Sequence, residues 1–206
     1  MKTILKIAIV FGLLFVITDS YAQMKIGPKL GVNISTMTFS TSGVSIDPKP
    51  LTGFSFGVLF ENSASANLSF QTGIMYSGKG STYKIEGDGV TVDMKIAPWF
   101  LQVPYNVLYS FGSTKAKFSL LGGPYLAFGM GGTVEAFGET EKIVFGSDGD
   151  LKSMDFGLNI GAGLKIDNFL LSAQYELGLV NMSTTEDLEN KLKVFSVSFS
   201  YLFGKK

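Results

Sequence analysis

The sequence predicts an all-β fold, an eight-stranded antiparallel up-and-down transmembrane β-barrel, on three observations. The first is a period of two. Phe156, Leu158, Ile160, Ala162, Leu164 and Ile166 alternate with Gly157, Asn159, Gly161, Gly163 and Lys165. After Asp167-Asn168 the alternation restarts, with Phe169, Leu171, Ala173, Tyr175, Leu177 and Leu179 against Ser172, Gln174, Glu176 and Gly178. Side chains spaced by two leave the same face of a strand, so this is a hairpin with one greasy and one polar face. The second observation is the order of the connections, which run long and short by turns, as an up-and-down meander requires. The third is size. The polar phase is rich in Gly and Ser, which suit a narrow interior, and the greasy phase carries large residues suited to lipid.

The elements follow in order. Lys2 and Lys6, the apolar run of residues 7–17 and Ser20-Tyr21-Ala22 read as a secretory signal peptide, residues 1–22, cut before Gln23. The run falls short of the roughly 20 residues of a spanning helix. Residues 23–206 then form one barrel domain. Strand one is 25–34, and a Ser/Thr/Pro/Gly loop covers 35–51. Strands two (52–61) and three (67–78) flank a short turn, strand three with the option of continuing to Ile85. Residues 86–94 are a second long loop. Strands four (95–111) and five (115–131) join through Gly112-Ser113-Thr114. The longest loop runs to about Ser153, and Val134, Phe137 and Ile143 suggest a hairpin beyond the membrane. Strands six and seven are the opening pair, 181–190 is the last loop, and strand eight is 193–203. Pro104, in mid-strand without an amide donor, marks a bulge or a missing bond.

A closed sheet is needed in lipid, because open edges leave amides unpaired there. The rival is a water-soluble barrel with its grease inside. Aromatic residues near strand ends argue for lipid: Trp99 toward one end, Tyr109, Tyr201 and Phe203 toward the other form an aromatic girdle. Short turns then face the periplasm, as do both termini, in the outer membrane of a Gram-negative bacterium.

Composition excludes several chemistries. The formal charge is zero, and loss of Lys2, Lys6 and Asp19 leaves about −1, so bulk charge draws no nucleic acid. There is no Cys, hence no disulfide and no thiolate metal site. There is no His, which removes the commonest general base, the commonest metal ligand and any Ser-His-Asp triad. All seventeen basic residues are Lys, so no guanidinium clamp exists. Acid pairs such as Glu139/Glu141 and Asp148/Asp150 sit in loops and read as solvated. Neither a catalytic site, a cofactor nor a metal is expected.

The inward phase supplies the candidate site residues: Lys29, Glu61, Gln71, Gln102, Lys117, Asn159, Gln174 and Glu176, a polar network filling the lumen. Unpaired buried charge is costly, so Glu61, Glu176, Lys29 and Lys117 are expected to pair. The alternative is a polar thread for protons or small ions.

Several blocks carry a family likeness: Lys29-Leu30-Gly31-Val32-Asn33, residues 68–80 (LSFQTGIMYSGKG), Leu101-Gln102-Val103-Pro104-Tyr105, Gly122-Gly123-Pro124-Tyr125, Asp155-Phe156-Gly157, and residues 174–179 (QYELGL). The chain resembles the PorT-type outer-membrane β-barrel family of the Bacteroidetes over most of its length. The resemblance implies an outer-membrane barrel with no catalytic motif, some of whose relatives serve protein secretion and surface motility. The expectation is a non-enzymatic barrel, in contact with outer-membrane lipid and with envelope or secretion proteins through its loops, as scaffold or accessory in secretion or surface assembly. A narrow channel, a membrane enzyme and an adhesin are the rivals.

Overall fold

The computed structural model describes residues 24–41, 44–46, 48–87, 90–113, 116–185 and 188–204. The expected signal peptide, residues 1–22, lies outside the described residues, as do Glu186 and Asp187 of the last acidic loop. The strands are β1 (Met24–Thr41), β2 (Val44–Ile46), β3 (Pro48–Ser63), β4 (Leu68–Gly78), β5 (Ser81–Gly87), β6 (Val90–Gly112), β7 (Ala116–Ala136), β8 (Glu139–Lys142), β9 (Met154–Ile166), β10 (Phe169–Gly178) and β11 (Glu189–Tyr201).

They do not make the clean eight-stranded up-and-down barrel read from the periodicity. All eleven belong to one antiparallel sheet, ten along a single path, with β8 attached to β7. Pairing of β1 with β3 joins eight of them in a ring, β1-β11-β10-β9-β7-β6-β4-β3. The ring therefore takes in only part of the sheet, and β2, β5 and β8 lie off it. The physical reason is that the long strands overshoot. A tilted strand crosses hydrocarbon in about 9–11 residues, whereas β6 has 23 and β7 has 21. Their surplus backbone offers unpaired amides, and short pieces of the connections pair with it. Val44–Ile46 folds back on Phe39–Thr41, β5 pairs with both β6 and β3, and β8 pairs with β7. Residues 44–46 fall in the expected loop; β5 covers the optional continuation of strand three to Ile85 but as a separate strand, and β8 lies in the connection where the sequence suggests a hairpin.

The ladders are long. β1 lies between β11, with Lys29 opposite Ser200, and β3, with Lys29 opposite Gly57. The strain expected at Pro104 takes two forms. Between Thr72↔Tyr105 and Met75↔Gln102 the β4–β6 ladder lacks two pairs, and Thr72 Oγ1 donates to Pro104 O at 2.8 Å. The bulge itself sits beside Pro98, where the β6–β7 register slips between Trp99 and Phe100.

Polarity runs from outside in. The row Phe156, Leu158, Ile160, Leu164 and Ile166 is exposed on the outer face, Ile160 by 68%. Leu30, Phe54, Phe56, Ile74, Leu120, Leu171, Val197 and Phe199 share that face. The inward phase is buried and largely polar, including Asn33, Gln71, Gln102, Asn106, Asp155, Gln174 and four β10 and β11 serines, Ser172, Ser196, Ser198 and Ser200. Apolar clusters close this interior at two levels. At the end holding Met24 and Phe203, Leu59, Leu170 and Leu202 pack together. At the distal end, Met37, Tyr83, Phe100, Tyr125, Ala127, Ile143, Leu151, Met182 and Leu192 form the larger cluster.

Aromatic residues occupy both ends of the outer face. Trp99 stacks on Tyr76, rings 4.9 Å apart and 13° from parallel, where β4 ends at Gly78. Tyr109, opposite Leu68 at the start of β4, adjoins Phe111. Tyr201 packs between Phe169 and Phe203. Ten residues separate Trp99 from Tyr109, which at ~3.3 Å each and a tilt of ~40° is ~25 Å, the height of the apolar band on such proteins.

Candidate functional site

The inward side chains make two charged storeys. The distal one is built on Glu176 of β10. Its Oε2 accepts from Lys79 Nζ at 2.7 Å and its Oε1 from Gln102 Nε2 at 2.9 Å. Lys79 is fully enclosed, its ammonium 4.8 Å from the centre of the Tyr125 ring and 5.9 Å from that of Phe100. Both ring faces add attraction to the cation. Tyr125 OH in turn donates to Asp155 Oδ2 at 2.9 Å. Lys29 lies buried near enough to Glu176 for their charges to interact.

The storey near Met24 and Phe203 is built on Glu61 of β3. Its Oε1 pairs with Lys165 Nζ of β9 across the interior, and its Oε2 accepts from Gln71 Nε2 at 3.4 Å. A cavity of about 300 Å³ opens beside it, lined by Lys25, Glu61, Ser65, Lys117, Lys165 and Asp167. Lys117 sits at this rim and donates to Ala66 O at 2.8 Å, so it pairs with a carbonyl instead of an acid.

Between the storeys lies a band of buried amides. Asn159 faces Glu176 on one neighbouring strand and Gly123 on the other, and Gln174 faces Gly161 and Ser196. Gln102 Oε1, Asn106 Oδ1, both amide atoms of Asn159, Gln174 Nε2 and Ser200 Oγ have no protein partner among the described residues. Buried polar atoms of this kind bind water.

Of the candidates, Glu61, Gln71, Gln102 and Glu176 stand in the two storeys, Asn159 and Gln174 between them, Lys29 beside Glu176, and Lys117 at the rim. Lys79, Tyr125 and Lys165 are not among these eight, although Lys165 belongs to the polar phase of the 156–166 strand and the signal for Lys79 is present. Gln71, Gly73, Met75 and Ser77 share one phase of β4, and continuing that phase two residues past Ser77 reaches Lys79, just beyond the strand's end at Gly78. Lys79 is held because Asn33 Nδ2 donates to Gly78 O at 3.0 Å, while Ser35 Oγ bonds both N and O of Gly80. Outside the lumen, the Tyr83 hydroxyl of β5 donates to Met37 O at 2.8 Å, and burial pushes that phenol up to about 12. Among the described residues no group of His, Cys, Asp and Glu could hold a metal ion.

One residue bears directly on the Tyr125–Asp155 bond. A Cβ on Gly157 would stand 2.2 Å from Leu177 O and 2.6 Å from the Tyr125 ring. Gly157→Val is therefore expected to cost about 1–3 kcal/mol by forcing the strands and ring apart. Urea unfolding in lipid vesicles, read by fluorescence of the single Trp99, measures it; an unchanged midpoint would contradict the close approach.

The chain is similar in fold to several outer-membrane proteins of known structure. Ail, the attachment invasion locus protein of Yersinia pestis, is 17% identical over 89% of this chain and 100% of Ail, with a TM-score of 0.42. Neisserial surface protein A is 16% identical over 86% of this chain and 97% of its own, with a TM-score of 0.45. The outer membrane protease OmpT of Escherichia coli is 7% identical over 88% and 97%, with a TM-score of 0.44. These likenesses stay below a TM-score of 0.5 and say nothing of function. No curated protein matches the chain. The model of the outer membrane protein beta-barrel domain matches residues 20–184, well over half of the sequence. The lipid-fitted outer face and the polar interior agree with that assignment, and the chain belongs to the outer membrane protein beta-barrel domain family, whose place is the outer membrane of a Gram-negative bacterium.

Proposed function

We propose that this protein is a non-enzymatic outer-membrane scaffold of the PorT type, with both termini in the periplasm, serving as an accessory in secretion or surface assembly. The observation that carries the reading is the closure of the interior at two levels. Leu59, Leu170 and Leu202 block one end and the nine-residue apolar cluster the other, with the ion pairs of Glu61 and Glu176 between them. A wall plugged in this way transports nothing and leaves the distal extensions β2, β5 and β8 to make contacts with partner proteins. In planar bilayers the purified protein is expected to give no unitary conductance steps. Affinity isolation from native outer membranes is expected to recover a stable envelope partner. Steps that vanish in Glu176→Gln would replace the scaffold with the second reading, a narrow channel. That reading is favoured by the unpaired amides of Gln102, Asn106, Asn159 and Gln174, which form a polar path between the ion pairs.

A further inference from the structure

Besides the gap beside Pro104, the wall has a second break, between β3, β5, β6 and β7. β3–β4 pairing stops at Ser55↔Ser77, and β3–β5 pairing begins at Pro50↔Ser81. Residues 51–54 of β3 therefore lack a ladder partner on that side. On the other side, the slip between Trp99 and Phe100 leaves Met130 of β7 unpaired. Between these breaks lies a groove of about 700 Å³. It is shallow-sided because the residues across its floor are small, Gly53, Gly78, Ala97 and Gly131. A Cβ on Gly131 would meet nothing within 4 Å.

The groove has two halves. Phe54 and Met130, 62% and 57% exposed, border one half together with the Trp99 ring, which its stack on Tyr76 holds in place. These residues continue the apolar outer face. Lys95 and Lys142 border the other half. Lys142 of β8 is opposite Thr133 of β7, and Lys95 of β6 is opposite Glu135, two residues further along, so two strand spacings and a two-residue offset put the lysine backbones ~12 Å apart. Lys95 has Glu135 at 3.1 Å. Lys142 is exposed and has no carboxylate in ion-pair reach among the described residues, so the polar half carries excess positive charge.

We propose that this groove seats an anionic membrane lipid, its acyl chain along Phe54, Trp99 and Met130 and its phosphate between Lys95 and Lys142. The occupant is a lipid because the apolar half opens on the face that already meets hydrocarbon. It is an anionic one because the polar half has cations to spare and no bound acid to neutralise Lys142. The Trp99 belt position puts the change from apolar to cationic lining at the level where headgroups begin. A lysine near a membrane surface favours anionic lipid by about fivefold, and Glu135 offsets Lys95, so the net preference is on the order of fivefold.

The groove holds the only tryptophan of the chain, which makes the test direct. The full-length protein is folded into bilayers containing either brominated phosphatidylglycerol or brominated phosphatidylcholine, and quenching of Trp99 is followed against lipid fraction. The expected result is half-quenching at a fraction of phosphatidylglycerol about fivefold lower than of phosphatidylcholine. Lys95→Gln with Lys142→Gln should bring the two curves together, and Ala97→Phe should weaken quenching by both. Neither lysine is buried, so the double variant folds even if Ala97→Phe does not. Coincident wild-type curves would overturn the proposal. So would loss of the preference in millimolar inorganic phosphate, which would mark a site for the free anion. The scaffold reading survives either result, since it depends on the interior alone.

Discussion

Glu176→Ala is expected to destabilise the folded protein by about 3–5 kcal/mol, the usual cost of removing one partner from a buried ion pair. Two groups lose their acceptor at once, Lys79 Nζ and Gln102 Nε2. The lysine cannot reach water, because it is enclosed between the Tyr125 and Phe100 rings. Its cation would remain beside two aromatic faces that offset only a fraction of the desolvation cost. The check is reversible urea unfolding in lipid vesicles. The companion variant is informative: Lys79→Met with Glu176→Leu removes both charges and is expected to recover most of the loss, since an apolar pair of similar volume substitutes well for a buried salt bridge. Equal destabilisation by the single and the double variant would mean that packing, and not charge, dominates at this level.

The second large effect belongs to the outer face. Ile160 is 68% exposed, lies opposite Tyr175 and Gly122, and stands midway along β9. Ile160→Lys is expected to cost about 2–4 kcal/mol, the penalty for a lysine at the bilayer midplane. A water-facing surface would accept the same change almost without cost. Lys at Phe203, near the end of the wall, should cost about 0–1 kcal/mol because depth sets the penalty. Unfolding midpoints of the two variants in the same vesicles give the comparison, and equal values would contradict a lipid-facing row.

Period two carried much of this structure. Each of the eight stretches read as a strand overlaps a ring strand, from 25–34 inside β1 to most of 193–203 in β11, while the optional extension of strand three to Ile85 falls in β5, off the ring. The assignment of Phe156 and its row to the outside followed from the size of the residues, which the chemistry of lipid and lumen separates. What periodicity could not convey is how the sheet ends. Residues 44–46 and 139–142 are too short to announce a strand by themselves, and 81–85 could be read only as a continuation of strand three, not as the separate strand β5. They pair only because β1, β6 and β7 run on past the membrane and leave edges open. The site was legible in kind and incomplete in detail. That Glu61 and Glu176 need cations follows from their place in the inward phase. Which lysine answers each depends on the stagger of strands around the ring, a property of closure and not of any one strand. Lys165 reaches Glu61 across the interior, while Lys117, at the very start of β7, is left at the rim with a backbone carbonyl.

The seam of the ring bears on how the chain is made. β1 hydrogen-bonds along twelve residue pairs to β11, the last strand of the sheet, from Lys29↔Ser200 to Ser40↔Glu189. Until synthesis has passed Tyr201, one flank of the first strand has nothing to zip to. Insertion into a bilayer before that point would strand its amides in oil. The ring therefore cannot close in a bilayer until Glu189–Tyr201 is available, and a truncation that removes this strand is expected to leave a product for proteases and not for the membrane.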